Sequence, residues 1–123
     1  PREEIVTIRI KRIYDPVQPE DGYRVLADRL WPRGISKQKA ELDEWPKKLA
    51  PSNELRHRFK NDGGGFDTFK QSYQKELSEK EHELKELLGR VRGDRMTLLY
   101  ASKDTERNNA VVLQEYLETL LEE

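Results

Sequence analysis

Cysteine is missing from this chain of 123 residues. Without thiols there is no disulfide, no thiolate metal ligand and no cysteine nucleophile, and the composition fits a reducing compartment. Long apolar runs are missing too: no stretch approaches the roughly 20 residues of a membrane span. No charged-then-apolar leader opens the chain. The sequence therefore predicts a soluble, cytoplasmic protein with no membrane partner.

An excess of charge of either sign is also missing. The chain has 23 Lys and Arg against 24 Asp and Glu, a net charge of -1. A general nucleic-acid binder needs a basic excess, so there is no strong nucleic-acid signal, although a local basic patch stays open. Charged residues make up 38%, but two Trp, five Tyr and three Phe supply a core and argue against disorder. One domain, residues 1–123, is predicted.

Strand-like and helix-like patterns interleave along the chain. Apolar and polar residues alternate from Val6 to Lys11, which indicates a half-buried strand. Strands are predicted at 5–14, 23–30 and 96–101, with an extended or irregular piece at 42–50. Helices are predicted at 36–40, 52–60 and 66–77, from 78 (where Ser78 and Glu81 have capping-box spacing) and from about 106. The expected fold is a single compact α/β domain with a small, mostly parallel sheet flanked by helices on both faces.

Polar side chains gather where two of these strands end. Asp28, Arg29 and Arg33 follow the second strand, and Asp104 and Asn108 follow the strand at 96–101. Ligands of open α/β sheets bind beyond the carboxyl ends of the strands. If the two strands are parallel neighbours, both clusters therefore open onto one crevice. The start of the last helix adds backbone N–H groups, and together with arginines this suits a phosphate or a carboxylate.

Structural roles compete with ligand binding at most of these positions. Asp28 beside Arg29 also fits a structural ion pair, and Trp31 at a strand end fits the core as well as a ligand-stacking wall. Asp104 and Asn108 also fit caps of the last helix.

Arg33 is the better ligand candidate, because Pro32 and Gly34 hold a tight turn that leaves its guanidinium free to point outward. Arg12, Tyr14 and Asp15 at the end of the first strand form a possible third wall, or the charged protection of an edge strand.

The chain shows no metal or phosphate-loop motif. His57 and His82 each lack a second histidine or a suitably spaced carboxylate, so a solvated surface is the simpler interpretation. The glycines at 63–65 follow a helix and lack the Gly-Lys-Ser/Thr ending of a phosphate loop, which favours a flexible turn at 61–65.

Several segments together resemble the YeaO-like family, a branch of the group called domain of unknown function 488. The resemblance rests on residues 9–16, 22–34 (which include Asp-Arg-Leu-Trp-Pro-Arg-Gly), 49–52, 98–104 and 108–113. It implies a small bacterial or archaeal α/β protein with the Trp-Pro-Arg-Gly turn and the start of the last helix as signature regions. Members usually carry His where this chain has Arg107, and other branches carry a Cys-His-Arg triplet there. The chain therefore lacks those groups for acid/base or thiol chemistry.

The sequence thus predicts that a small anionic or nucleotide-like ligand binds in the strand-end crevice, and leaves open whether it is turned over. Its candidate residues are Asp28, Arg29, Trp31, Arg33, Asp104 and Asn108. The two strand-end arginines would hold the anion, an aspartate would act as acceptor or acid/base, and the tryptophan would form an apolar wall. The alternative is a non-enzymatic module that binds protein or nucleic acid. The sequence identifies no cofactor, metal or oligomeric state.

Overall fold

The computed structural model describes residues 6–61 and 65–123, which form three β-strands and five α-helices. The strands are β1 (Thr7–Arg12), β2 (Tyr23–Leu26) and β3 (Arg95–Tyr100). The helices are α1 (Lys37–Ala40), α2 (Asn53–Asn61), α3 (Gly65–Ser78), α4 (Glu81–Arg90) and α5 (Asn109–Leu121). The turn predicted at 61–65 falls mainly on 62–64, outside the described residues.

The sheet is parallel throughout, with strand order β1-β3-β2. Arg12 pairs with Tyr100 at the end of one ladder, and Leu26 pairs with Leu99 at the end of the other. All three carboxyl ends therefore meet at one edge, as the predicted crevice requires. The α/β class and the parallel sheet predicted from the sequence are confirmed.

The two faces of the sheet are covered unequally. The larger core packs Ile8, Val25 and Leu98 against buried apolar side chains of helices α2 to α5. The opposite face packs Leu26 and Leu99 against α1 and apolar side chains of the segment 31–45. The expected cover of helices on both faces is thus reduced on this side to one helical turn, where Trp31 and Trp45 supply the bulk.

The sequence predicted side-chain caps at the starts of α2 and α4, and the structure bears out the first of them. The Leu55 N–H donates to Ser52 Oγ at 3.1 Å, so the predicted cap of α2 is confirmed. The capping box of Ser78 and Glu81 is wrong: Ser78 is the last residue of α3, its hydroxyl donates to the Lys75 carbonyl, and α4 begins only at Glu81. α3 continues to Ser78 because Tyr73 and Leu77 still bury one face there.

Two predicted boundaries move inward. β2 ends at Leu26 rather than near Leu30, because after the Ala27 N–H bonds the Leu99 carbonyl the chain leaves the sheet. α5 begins at Asn109 rather than near Glu106, since a turn precedes it. Within the described residues no helix is both long and apolar enough to cross a membrane.

Candidate functional site

A cleft of about 400 Å³ opens at the carboxyl edge of the sheet. Two of its walls follow β2 and β3, as the sequence predicted, and helices α2 and α3 add Arg56, Phe59 and Phe69. We call it the strand-end cleft, and it is lined chiefly by Tyr14, residues 28–33, Arg56, Phe59, Phe69, residues 101–102 and residues 107–109.

Asp28 joins the two strand-end walls. Its Oδ2 accepts the Ala101 N–H at 2.9 Å, and its Oδ1 accepts from Asn109 Nδ2 at 2.9 Å. The Asn109 amide also donates to the Ala27 carbonyl. Burial raises the pKa of Asp28, although both hydrogen bonds and the charge of Arg56 oppose that rise. Asp28 therefore bonds across the cleft rather than to its neighbour Arg29.

Arg29 ties the same wall to the loop before α2. Its Nε donates to the Pro51 carbonyl at 2.9 Å and its Nη2 to the Ala50 carbonyl at 3.4 Å. Backbone carbonyls thus occupy part of its guanidinium, so Arg29 lines the cleft mainly as a brace.

Trp31 packs in the smaller core, as one interpretation of the sequence predicted, and also lines the cleft. Its Nε1 donates to the Ile35 carbonyl at 2.6 Å, and its ring lies edge-on to Trp45 with the centroids 5.2 Å apart. The Trp45 Nε1 in turn donates to the Asp28 carbonyl. Half-buried, Trp31 belongs to the smaller core and forms an apolar stretch of cleft wall.

Arg33 carries the guanidinium that the tight turn leaves available. Its carbonyl accepts the Tyr14 hydroxyl at 2.8 Å, while the residue itself is exposed. No hydrogen bond or ion pair within residues 6–61 and 65–123 engages the guanidinium of Arg33 or of Arg107. Of the three residues of the possible third wall, Tyr14 lines the cleft, whereas Arg12 and Asp15 do not.

Asp104 and Asn108 organise the turn before α5. The exposed Asp104 accepts the N–H groups of Arg107 at 2.9 Å and Glu106 at 3.0 Å, and these bonds, together with the charge of Arg107, lower its pKa. The buried Asn108 caps α5 by accepting the Val111 N–H at 3.0 Å, and donates to the Asp104 carbonyl. Asn108 lines the cleft and Asp104 does not. The structure therefore brings five of the six candidates together.

The charge around the cleft is unbalanced. Among the described residues its lining includes Arg29, Arg33, Arg56 and Arg107 but a single carboxylate, that of Asp28. Arg56 was missed from the sequence because α2 lies far along the chain from either strand end. The feature of the sequence that could have pointed to Arg56 is its position in the first turns of α2, the helix that Ser52 caps. In the described part of the chain, no three His, Asp or Glu side chains come together as metal ligands.

Comparison with known proteins identifies the family. The family model described as the inactive DUF488-N3 subclade matches residues 7–123 of this chain. The chain belongs to this subclade. The uncharacterized protein YeaO of Escherichia coli is 45% identical over 115 residues, covering 94% of this chain and all of YeaO. Uncharacterized proteins of Mycobacterium bovis (Mb3100c) and Mycobacterium tuberculosis (Rv3073c) are 38% identical, covering 89% of this chain and 92% of their own length.

The YeaO-like resemblance noted in the sequence is thereby confirmed over almost the whole chain. No solved structure matches the chain.

Proposed function

We propose that the strand-end cleft binds a small anionic or nucleotide-like ligand and does not turn it over. The supporting observation is the pair of guanidinium groups of Arg33 and Arg107, which line the cleft and have no hydrogen-bond or ion-pair partner in the described part of the chain. Arginine offers planar, paired donors that match phosphate and carboxylate oxygens. Unpaired arginines facing one cleft favour an anion.

The single carboxylate of the cleft does not cancel this preference. Both oxygens of Asp28 already accept hydrogen bonds, from the Ala101 N–H and from Asn109 Nδ2. Apolar walls complete a small-molecule site, since Trp31 and Phe59 line the same space and 400 Å³ lies within the range of roughly 300–1,000 Å³ usual for ligand pockets.

Binding without turnover fits the groups that are present. Asp104, one of the two acid/base candidates, is outside the lining, and Asp28 is held between two donors that a general base would have to give up. The resemblance implies that Arg107 stands where other members carry His. The description of the matching subclade as inactive agrees with this assignment.

The test is binding of anions to the full chain by titration calorimetry and by thermal shift, with phosphate, pyrophosphate and small carboxylates as probes. Ligand binding to the native state raises its melting temperature. Replacing both free arginines, R33Q together with R107Q, removes charge-assisted hydrogen bonds, and we expect affinity to fall at least about tenfold.

The matched control is R92Q, because Arg92 is exposed and lies outside the strand-end cleft. It should bind as the wild type does. Unchanged affinity in the double variant, or an equal loss in R92Q, would contradict a specific anion site.

A further inference from the structure

Exposed apolar side chains gather at the rim of the strand-end cleft. Residues 6–61 and 65–123 contain four exposed large hydrophobic side chains, and three of them line the cleft: Tyr14 (42%), Leu30 (58%) and Phe59 (37%). Grouped apolar surface beside a cleft marks a place that contacts a ligand or partner. An inorganic anion would use none of this surface.

Tyr14 is exposed yet fixed in place. Its hydroxyl donates to the Arg33 carbonyl at 2.8 Å, and the Arg12 guanidinium lies over its ring, 5.0 Å from the centroid. Arg12 is itself anchored, with Nε donating to the Ser102 carbonyl at 2.9 Å. A ring held by two contacts loses little conformational entropy when a planar group stacks on it.

The same tyrosine positions an anion-binding residue. The Tyr14 hydroxyl donates to the backbone carbonyl of Arg33, so the ring lies beside the backbone from which the free Arg33 side chain extends. A ligand that engages both carries a planar ring and an anionic group in one small molecule. The volume of 400 Å³ is near the lower end of the usual range, which favours a single nucleotide over a dinucleotide or a protein partner.

The charge balance selects the anionic group. Among the described residues, the lining holds four arginines and one carboxylate, that of Asp28, whose charge interacts with Arg56; Asp104, outside the lining, interacts with Arg107. A phosphate monoester carries close to two negative charges at neutral pH and three acceptor oxygens, whereas a carboxylate carries one charge. Several guanidinium groups therefore match a phosphate better than a carboxylate.

We infer that the strand-end cleft binds a nucleoside monophosphate, with the base stacked on Tyr14 and the phosphate bound by Arg33 and Arg107. This inference rests on the proposed anion-binding function and adds the ring that the ligand must carry. Base stacking on aromatic side chains tolerates any base, so the assignment is to the class and not to one nucleotide.

The first experiment compares three probes with the full chain by titration calorimetry: AMP, adenosine and inorganic phosphate. AMP should bind at least about tenfold more tightly than either half, since each half contributes its own contacts. Phosphate binding as tightly as AMP overturns the nucleoside monophosphate and leaves the anion site standing. Adenosine binding as tightly as AMP, or no binding of any anion, overturns both.

The second experiment asks whether Tyr14 supplies the stacking surface. Y14L and Y14F both remove the hydroxyl that holds Arg33, so any loss of phosphate affinity should be equal in the two variants, whereas only Y14L, which also lacks the ring, should weaken AMP about tenfold further. Melting temperatures verify that each variant is folded. V17A is the control, because Val17 is exposed outside the cleft, and this substitution should leave AMP affinity unchanged. Equal AMP affinity in Y14L and wild type overturns the inference.

A third experiment distinguishes a free nucleotide from the end of a nucleic-acid strand as the ligand. A short RNA that carries a 5′-phosphate presents the same base and phosphate. The inference expects it to bind no more tightly than AMP at physiological salt. Much tighter RNA binding with a steep salt dependence would instead assign the site to a nucleic-acid end.

Discussion

Asp21 is a buried carboxylate on the face of the sheet that carries the smaller core. Its side chain pairs with Lys11 Nζ at 3.0 Å and Arg24 Nη1 at 2.5 Å, and accepts the Gln18 N–H at 3.1 Å. Burial alone would raise the pKa of Asp21, but the Gln18 hydrogen bond, followed by Lys11 and Arg24, outweighs it and lowers the pKa from 3.8. The ionised form is thus the one that stabilises the fold.

The direction of the pKa shift fixes how stability depends on pH. With a lowered folded-state pKa, the contribution of Asp21 is fully present above about pH 4 and is lost as pH falls through the folded value. D21N leaves buried Arg24 without its counter-charge, so we expect the free energy of unfolding at pH 7 to fall by about 3 kcal/mol. Urea unfolding at several pH values measures both effects.

The same titration separates Asp21 from a general acid effect. D21N should show a flatter loss of stability below pH 4 than the wild type. D94N is the control, because the Asp94 side chain is 69% exposed. This substitution should change neither the free energy of unfolding at pH 7 nor its fall in acid by much. If the free energy of unfolding of D21N fell below pH 4 as steeply as that of the wild type, the assignment would be contradicted.

At the scale of elements, the start of β2 depends on a glycine. Gly22 has φ +65°, and a Cβ built there would lie 2.5 Å from the Arg95 carbonyl oxygen at the start of β3. G22A therefore combines an unfavourable backbone conformation with a collision against a neighbouring strand. We expect it to lower the free energy of unfolding by about 1–3 kcal/mol, measured by chemical denaturation.

A second glycine provides the comparison for G22A. Gly89 lies in α4, and a Cβ there meets nothing within 4 Å. G89A should raise stability by up to about 1 kcal/mol, because alanine favours the helix. If both variants shifted stability in the same direction, packing against β3 would not be the reason that Gly22 is required.

The elements that could be predicted are those with a local cause. The alternation around Ile8 and Ile10 specified β1, and the Ser52 hydroxyl specified the start of α2. Ser78 failed as a cap because α3 still had Leu77 to bury, which is a tertiary effect. Five of the six candidate site residues come together because parallel strands end at one edge, which the sequence pattern implied.

The rest of the site depended on contacts that no local pattern carries. Arg56 and Phe59 reach the strand-end cleft only because the larger core packs α2 against the sheet. The cap alternative anticipated that backbone N–H groups would occupy the Asp104 carboxylate, but not that these groups belong to the turn before α5 while Asn108 caps the helix itself.

At the scale of the whole molecule, the cleft is built from distant parts of the chain. Asp28 bonds Ala101 and Asn109, residues 73 and 81 positions away in sequence. Arg12 bonds the Ser102 carbonyl, 90 positions away. The walls that face an incoming ligand are therefore held together by few side chains, and they exist only when the first and last thirds of the chain are packed.

The strand order also sets when the molecule can fold during synthesis. β1 and β2 each pair with β3 and not with each other, so neither has a partner strand until residues 95–100 have been made. A chain ended after Asp94 should lack cooperative unfolding and the circular dichroism of the native protein, whereas one ended after Leu121 should keep both. Cooperative unfolding of the shorter chain would contradict this.

On the ribosome, β1 and β2 must therefore wait until the central strand β3 has been synthesised and has emerged. Until then the apolar sides of β1 and β2 stay open to other chains, which makes the nascent protein a candidate for chaperone binding.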